Sequence, residues 1–513
     1  MIETNLTKRG ISAAKYTIIF RLLTQSFGIL TTILLVRSLT KHDFGIYNLL
    51  YSLISLLGMI FSFGISNTLQ RYMPEYYSKE EYIVAHSLYR NASLLRLLTT
   101  IAILSILFCA WEQLAPLLKI KEYKNYLFLF SFIIIIHLQR FLLETTLNSY
   151  LLQKYSQGIS VLFVLIKGFG YGIALILKQN LWFILFIDLC AYLSVFILLQ
   201  LVYLKKIPRD SGAIKSLSGA ERKRVWRYAL FYNFNDAGAG LLDANFDNFI
   251  IVMLLDPISV GAYAFCLRLT KMIERVLPIN YLIDVFRPLF FHNSHNKKTN
   301  HINSNYQILL KCYYIFQIPI FFFLLLYSSD LIAILFGDKY VEYSSLLTGV
   351  YFFSLLNAFQ IPLSLVVQLK EKVDIILYSK IFAIYNIFAD VILIHLWGLW
   401  GAVVATGTAT LGKNIFIWYF VRQEATWKGL SQFFYRILFF WIFISIPCYF
   451  TNVAIQNNLI RICIGITIFL ASFIIFFRFL RLKQKEKDLI YKIVMQSEKN
   501  NFITKLSKGL GLV

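Results

Sequence analysis

About fourteen apolar stretches of membrane-spanning length run through the 513-residue chain, and nothing else in the sequence limits its fold as strongly. Hydrocarbon offers no partner to a backbone N–H or C=O, so each stretch must satisfy its own polar groups, which a helix does. The expected spans lie at roughly 15–37, 43–66, 87–110, 126–150, 157–177, 181–204, 228–254, 258–290, 306–327, 344–368, 373–395, 398–421, 433–450 and 459–479. Composition agrees: 58% of residues are hydrophobic and 15% charged, where a soluble domain carries about 25% charge. The expected class is an all-α integral membrane protein.

The first half of the chain recurs faintly in the second. Leu39-Thr-Lys-His-Asp-Phe-Gly45-Ile-Tyr47 is echoed by Leu255-Asp-Pro-Ile-Ser-Val-Gly261-Ala-Tyr263. At nearly the same offset, Gln153 corresponds to Gln368, and Leu181-Trp182 to Leu399-Trp400. The common offset gives these short matches their weight. They predict a six-helix lobe at 1–204, a basic cytoplasmic linker at 205–227, a second lobe at 228–421, two additional helices within 422–480 and a basic cytoplasmic tail at 481–513. An even number of spans per repeat sets both lobes in parallel orientation, related by an axis along the membrane normal.

Charge follows that layout. With the N-terminus inside, the inward loops hold several times as many Lys and Arg as the outward ones, the bias that orients membrane helices. The linker alone carries Lys205, Lys206, Arg209, Lys215, Arg222, Lys223, Arg224 and Arg227. The net charge of +23 is therefore read as topology, not as a nucleic-acid surface. No cleavable leader is expected, because Met1 to Lys15 is polar and Arg37 follows the first apolar run. The expected location is a bacterial inner or plasma membrane, multi-pass, with both termini cytoplasmic. The six cysteines are isolated and the seven histidines scattered, so no metal or other cofactor is expected.

Polar groups inside the spans carry the functional information. In span seven, Asp236, Gly240, Asp243 and Asp247 share one helical face, with Asn235 beside them. A carboxylate facing lipid at mid-bilayer costs about 2.5 kcal/mol or more, so this face lines a cavity or forms a salt-bridge seam with span eight. Span eight places Arg268, Lys271 and Arg275 on one face beside Glu274. Arg21 in span one, Lys167 in span five and Lys413 in span twelve are further cations, and Arg140 and Glu144, four apart in span four, are expected to pair. Fixed cations in a cavity suit an anionic substrate, and arginine's planar fork suits phosphate. Arg21, Arg268 and Lys271, with Arg275 and Lys167, are the candidate contacts to a diphosphate head group; neutralising Asp243 or Asp247 is their competing use. Asp236, Asp243, Asp247, Asp188 and Asp390 are the candidates for a coupling cation, H+ or Na+.

Gly407-Thr-Ala-Thr-Leu-Gly412-Lys413-Asn414 comes within one residue of a nucleotide-binding loop, but it continues an apolar run and ends in Asn where Ser or Thr would hold magnesium. Close helix packing explains its small residues better. No nucleotide is expected as partner.

Taken together, the Leu39–Tyr47 stretch, Asp247-Asn-Phe-Ile250, Val260-Gly-Ala-Tyr263 followed by Arg268-Leu269, and Gly398-Leu-Trp-Gly401-Ala-Val-Val-Ala-Thr406 are similar to bacterial polysaccharide flippases of the multidrug/oligosaccharidyl-lipid/polysaccharide (MOP) exporter superfamily. The resemblance covers spans one to twelve in order, and thirteen and fourteen by count. It implies two six-helix lobes plus two helices, opening alternately to each side. The implied activity is transport and not enzyme chemistry: movement of a glycan on a polyprenyl diphosphate to the outer leaflet, within membrane lipid, for surface polysaccharide such as O-antigen or capsule. Arg268 and Arg21 are the positions that the resemblance assigns to the diphosphate. Two rivals stand beside it: a cation-coupled multidrug exporter of the same superfamily, which needs an acidic cavity, and a glycan polymerase or ligase, which needs a larger outward loop than this chain has.

Overall fold

The structure is a computed structural model that describes residues 2–60, 63–207, 219–240, 244–277, 299–370 and 372–479. Among the described residues there is no strand, and the described part of each expected span coincides with a helix or a broken pair of helices, with 61–62 of span two, 241–243 of span seven and 278–290 of span eight outside the described residues. In order these are α1 Ile2–Ser38, α2 Lys41–Ile60, α3 Ile65–Ser78, α4 Tyr82–Cys109, α5 Trp111–Leu117, α6 Lys124–Ser149, α7 Gln153–Ile176, α8 Leu181–Lys206, α9 Gly219–Gly240, α10 Ala244–Leu254 and α11 Pro257–Val276. They continue as α12 Thr299–Phe336, α13 Ser344–Leu356, α14 Gln360–Leu369, α15 Val373–Tyr378, α16 Ile381–Trp397, α17 Leu399–Val421, α18 Ser431–Ala454 and α19 Asn458–Phe479. Ten segments among the described residues are long and apolar enough to cross a membrane. The expected spans outside that set are two, seven, eight and twelve, whose helices are shorter or carry more polar groups.

Span ten breaks between α13 and α14. Pro362 lies in the first turn of α14, where its missing N–H costs nothing, whereas a continuous helix would clash its ring against the carbonyl four residues earlier. Span eleven breaks at Ser379–Lys380, where the bonds to Phe382 and Ala383 tighten to three-residue spacing. The connection between spans two and three is itself helical. Gly64, at φ 57°, reverses the chain into α3, a polar helix packed on α4, α6 and α9.

The chain divides into two compact units, Met1–Ala264 and Phe265–Val513. The sequence places the division at the 205–227 linker; the packing groups α9 and α10 with the first unit because they lie against α2 and α3. The echoed glycines meet there. A methyl group on Gly45 would stand 1.7 Å from the Pro257 carbonyl oxygen, and one on Gly261 2.8 Å from that of Lys41. Only glycine lets the ends of α2 and α11 approach this closely. In the second unit, Trp441 of α18 is fully buried, stacked on Phe469 of α19 at 5.3 Å, in a cluster that includes Tyr327 of α12. Outward apolar side chains such as Ile176, 80% exposed, and Phe439, 75% exposed, fit a surface facing lipid.

The near-match to a nucleotide loop lies within helix α17, with the position of a Gly407 Cβ only 2.2 Å from the Phe353 ring. Tight helix packing accounts for the small residue, and no strand precedes it.

Candidate functional site

Inside the first unit, α2, α7 and α8 bring a buried charge pair together. Asp188 has no exposed surface. Its carboxylate takes the Lys167 ammonium at 2.9 Å and accepts hydroxyl hydrogen bonds from Tyr47 at 3.0 Å, Tyr51 at 2.5 Å and Tyr171 at 2.5 Å. Tyr47 and Tyr51 are one turn apart, so α2 presents both hydroxyls on one face. Four donors around two carboxylate oxygens use its accepting capacity. Lys167 is also ringed by Phe163, Tyr51, Tyr171 and Tyr192, with its nitrogen 5.3 to 5.6 Å from each centroid. Aromatic faces stabilise an ammonium kept from water. Lys167 and Asp188, expected from sequence as substrate and ion contacts respectively, are thus each other's partner.

A second polar seam joins α2 to α10. Asn248 donates to Ser52 Oγ at 2.8 Å and Asn245 to Ser55 Oγ at 3.2 Å. Asp247, fully buried, accepts from the Tyr263 hydroxyl at 2.8 Å. Asn235 and Asp236 lie on α9 with side chains outside the described residues, as is Asp243 entirely. Arg21 lies on an exposed stretch of α1.

In the second unit, α11 carries Arg268, half-buried, with Lys271 and Arg275 exposed. Glu274 lies between the last two and accepts a hydrogen bond from Ser354 Oγ of α13. On α16, Asn386 donates to Asp390 at 3.1 Å, and both are fully buried. One turn separates them, so they form a single polar patch. Asn414 of α17 donates to Asn357 at 2.9 Å, beside the break in span ten. Lys413 is half-buried on the same helix.

Other charge pairs tie the helices at their ends. Arg461 pairs with Asp330, joining α19 to α12, and Lys370 pairs with Glu424 at 2.9 Å. Glu75 of α3 meets Lys79 at 3.1 Å and Arg224 of α9 at 3.4 Å. The hydrogen bond from Lys79, helped by the charge of Arg224, holds the Glu75 carboxyl below its usual range.

Sequence reasoning found the charged members of these clusters and missed the neutral ones: Tyr47, Tyr51, Tyr171, Phe163, Tyr192 and Asn386. Tyrosine is common in membrane helices, so type alone says little. The available signal is spacing, since Tyr47/Tyr51 and Asn386/Asp390 are both four apart. Among the described residues, no group of three or more His, Cys, Asp or Glu has metal-site geometry.

Residues 13–294, just over half of the chain, match the family described as "Polysaccharide biosynthesis protein". Among solved structures, the chain is similar to "Lipid II flippase MurJ, inward closed conformation", with TM-score 0.65, 15% identity, and 90% of this chain and 99% of that one covered. It is also similar to an inward-facing multidrug resistance MATE transporter of the MOP superfamily, with TM-score 0.61, 14% identity, and 79% and 98% coverage. An outward-facing MATE transporter matches at TM-score 0.54 and 14% identity, with 81% and 95% coverage. No curated protein sequence matches. The likeness to solved structures establishes the fold, one shared with the lipid II flippase and the MATE transporters, and the polysaccharide part of the sequence resemblance is borne out by the family match. By the family match, the chain belongs to the polysaccharide biosynthesis protein family.

Proposed function

We propose that this multi-pass membrane protein moves a polyprenyl-diphosphate-linked oligosaccharide from the cytoplasmic to the outer leaflet of a bacterial plasma membrane, by alternating access. The observation that carries this reading is the cation stripe of α11. Arg268, Lys271 and Arg275 share one face of a helix in a chain otherwise built for lipid. Intramembrane cations are costly and mark the path of an ion or substrate. A diphosphate is the anion that guanidinium and ammonium groups together hold well. Arg21 is the proposed contact from α1. The family's description as a polysaccharide biosynthesis protein and the fold shared with a lipid II flippase support a sugar-bearing lipid as cargo.

A charged head group cannot cross hydrocarbon unaided, so the polar helix faces shield it while the lipid tail stays in the bilayer. The proposed drive is an ion gradient. Asp390 with Asn386, and Asp247 with Tyr263, are the acids assigned to the coupling cation; Asp188, already saturated by Lys167 and three hydroxyls, is withdrawn from that role. N- and C-termini are placed in the cytoplasm.

In a strain lacking the native transporter, wild-type protein should restore surface glycan. Arg268→Ala with Lys271→Ala, at normal protein level, should leave lipid-linked glycan on the inner leaflet. Surface glycan in normal amounts from that double variant would overturn the cation assignment. A second reading, multidrug export coupled to a cation, draws on the buried Asn386–Asp390 patch and the MATE fold. Saturable, ion-dependent binding of a hydrophobic organic cation, with no effect of deletion on surface glycan, would favour it.

A further inference from the structure

The second unit holds a groove of about 700 Å³ that the proposed site does not use. Apolar and aromatic side chains of α12, α13, α17 and α18 line it, with Trp427 from the connection between the last two. It is open along its length, since Ile415 is 50% exposed and Phe352 and Leu438 each 40%, so it faces the bilayer. One end is aromatic. Trp427 stacks on Phe434 at 5.9 Å and meets Phe359 edge-on at 5.5 Å, and Phe434 meets Tyr314 at 5.0 Å. Trp and Tyr gathered in this way belong at the level where lipid meets water.

Two walls of the groove continue into cations at that end. Leu411, Ile415 and Trp418 lie on one face of α17, and Arg422, at its C-cap, is the next residue of that face. Tyr314, Ile318 and Phe321 lie on one face of α12, and Lys311 precedes them on it by one turn. Arg422 stands over the Tyr419 ring at 4.6 Å, and Lys311 over that of Phe433 at 5.8 Å. The connection 422–430 is held in place by both helices. Trp418 Nε1 donates to the Ala425 carbonyl at 2.7 Å, and Gln307 of α12 donates to the carbonyls of Thr426 and Lys428, each at 3.1 Å. Its one acid, Glu424, is met by Lys370 at 2.9 Å. Arg422 and Lys428, both exposed, therefore give the mouth of an apolar groove a positive charge on a fixed frame.

We propose that this groove is a binding site for an anionic glycerophospholipid, whose acyl chain lies along Phe321, Phe352, Leu411 and Ile415 and whose phosphate meets Arg422 and Lys428. Inside a bilayer a lipid tail exchanges one apolar surface for another, so the chain alone gives little reason to stay. Selection comes from the head group. A basic residue at the membrane surface favours an anionic lipid over a neutral one roughly fivefold, so two give roughly twenty- to thirtyfold. The occupant is a resident lipid and not the tail of a cargo, because the groove opens sideways to the bilayer, where phospholipid is the abundant species. The site lies within the second unit alone and does not rest on the proposed transport.

The test is tryptophan quenching in full-length protein reconstituted into phosphatidylcholine nanodiscs, with brominated phosphatidylglycerol or brominated phosphatidylcholine titrated in. Trp418 and Trp427 line the groove, and the chain has 8 tryptophans. The groove's share of the quenching is therefore the difference between wild type and a Trp418→Phe, Trp427→Phe variant. In wild type that share should be quenched at a roughly twentyfold lower mole fraction of the brominated phosphatidylglycerol. Arg422→Gln should narrow the gap about fivefold, Arg422→Gln with Lys428→Gln should bring the two curves together, and Arg422→Lys should keep the gap. Should the double variant not fold, Arg422→Gln and Arg422→Lys carry the test. Coincident curves in wild type mean ordinary surrounding lipid and overturn the inference, as does a gap unchanged in a folded glutamine variant. Unbrominated phosphatidylglycerol should reverse the quenching at a lower mole fraction than farnesyl phosphate does. The opposite order gives the groove to an isoprenoid tail and overturns the inference.

Discussion

Among single residues, the Lys167–Asp188 pair shows most clearly why charge inside a membrane lobe must be matched. Asp188 draws four donors from two helices, so losing Lys167 leaves three hydroxyls arranged around an unbalanced charge. Breaking a buried pair by removing one partner costs about 3–5 kcal/mol, while replacing both partners by apolar groups is often neutral. Lys167→Met is therefore expected to lower the thermal midpoint strongly. Lys167→Met with Asp188→Leu should recover much of the loss, though three tyrosine hydroxyls then lose their acceptor. Thermal unfolding of the two single variants and the double variant checks this. Additive losses would mean that the two groups do not act as a pair.

Elements are set here by where the backbone is interrupted and where it is forced close. Pro362 sets the break in span ten, and Gly45 and Gly261 set the crossing of α2 and α11. That crossing joins the two positions that echo each other in sequence. A repeat that places glycine at the same point of two helices builds a contact between them. Gly45→Val is expected to force the helices apart, costing about 1–3 kcal/mol or more for overpacking, and to reduce surface-glycan rescue. Gly172→Val is the control, since a side chain there meets nothing within 4 Å. Equal loss of thermal stability in the two variants would overturn the role of the close approach.

For the whole molecule, the strongest expectation from sequence concerns sidedness. In a background without the six cysteines, a cysteine at Lys119 should react with a membrane-impermeant maleimide in intact cells. One at Lys205 should react only after permeabilisation. The reversed pattern would invert the topology and place the basic linker outside. Spans thirteen and fourteen belong to the second unit through the Trp441 cluster, which explains why a chain with twelve repeated helices carries two more: they bury aromatic surface on α12.

Fold class and span positions were legible in the sequence because a bilayer imposes them locally: length, apolarity and loop charge are properties of contiguous residues. The intramembrane cations and acids were legible for the same reason, each standing out against an apolar background. Their partners were not. Asp188 finds Lys167 from another helix, Tyr47 and Tyr51 from α2, and Tyr171 from α7, and no periodicity within one span foretells that convergence. Arg140 and Glu144 show the converse. Their spacing predicts a pair and the structure forms it, at 3.6 Å, but spacing does not foretell that the guanidinium also lies on two rings supplied by α7 and α8. Sequence determined which segments enter the membrane and which residues carry charge into it; tertiary packing decided which charges are spent on one another, because their partners stand on other helices.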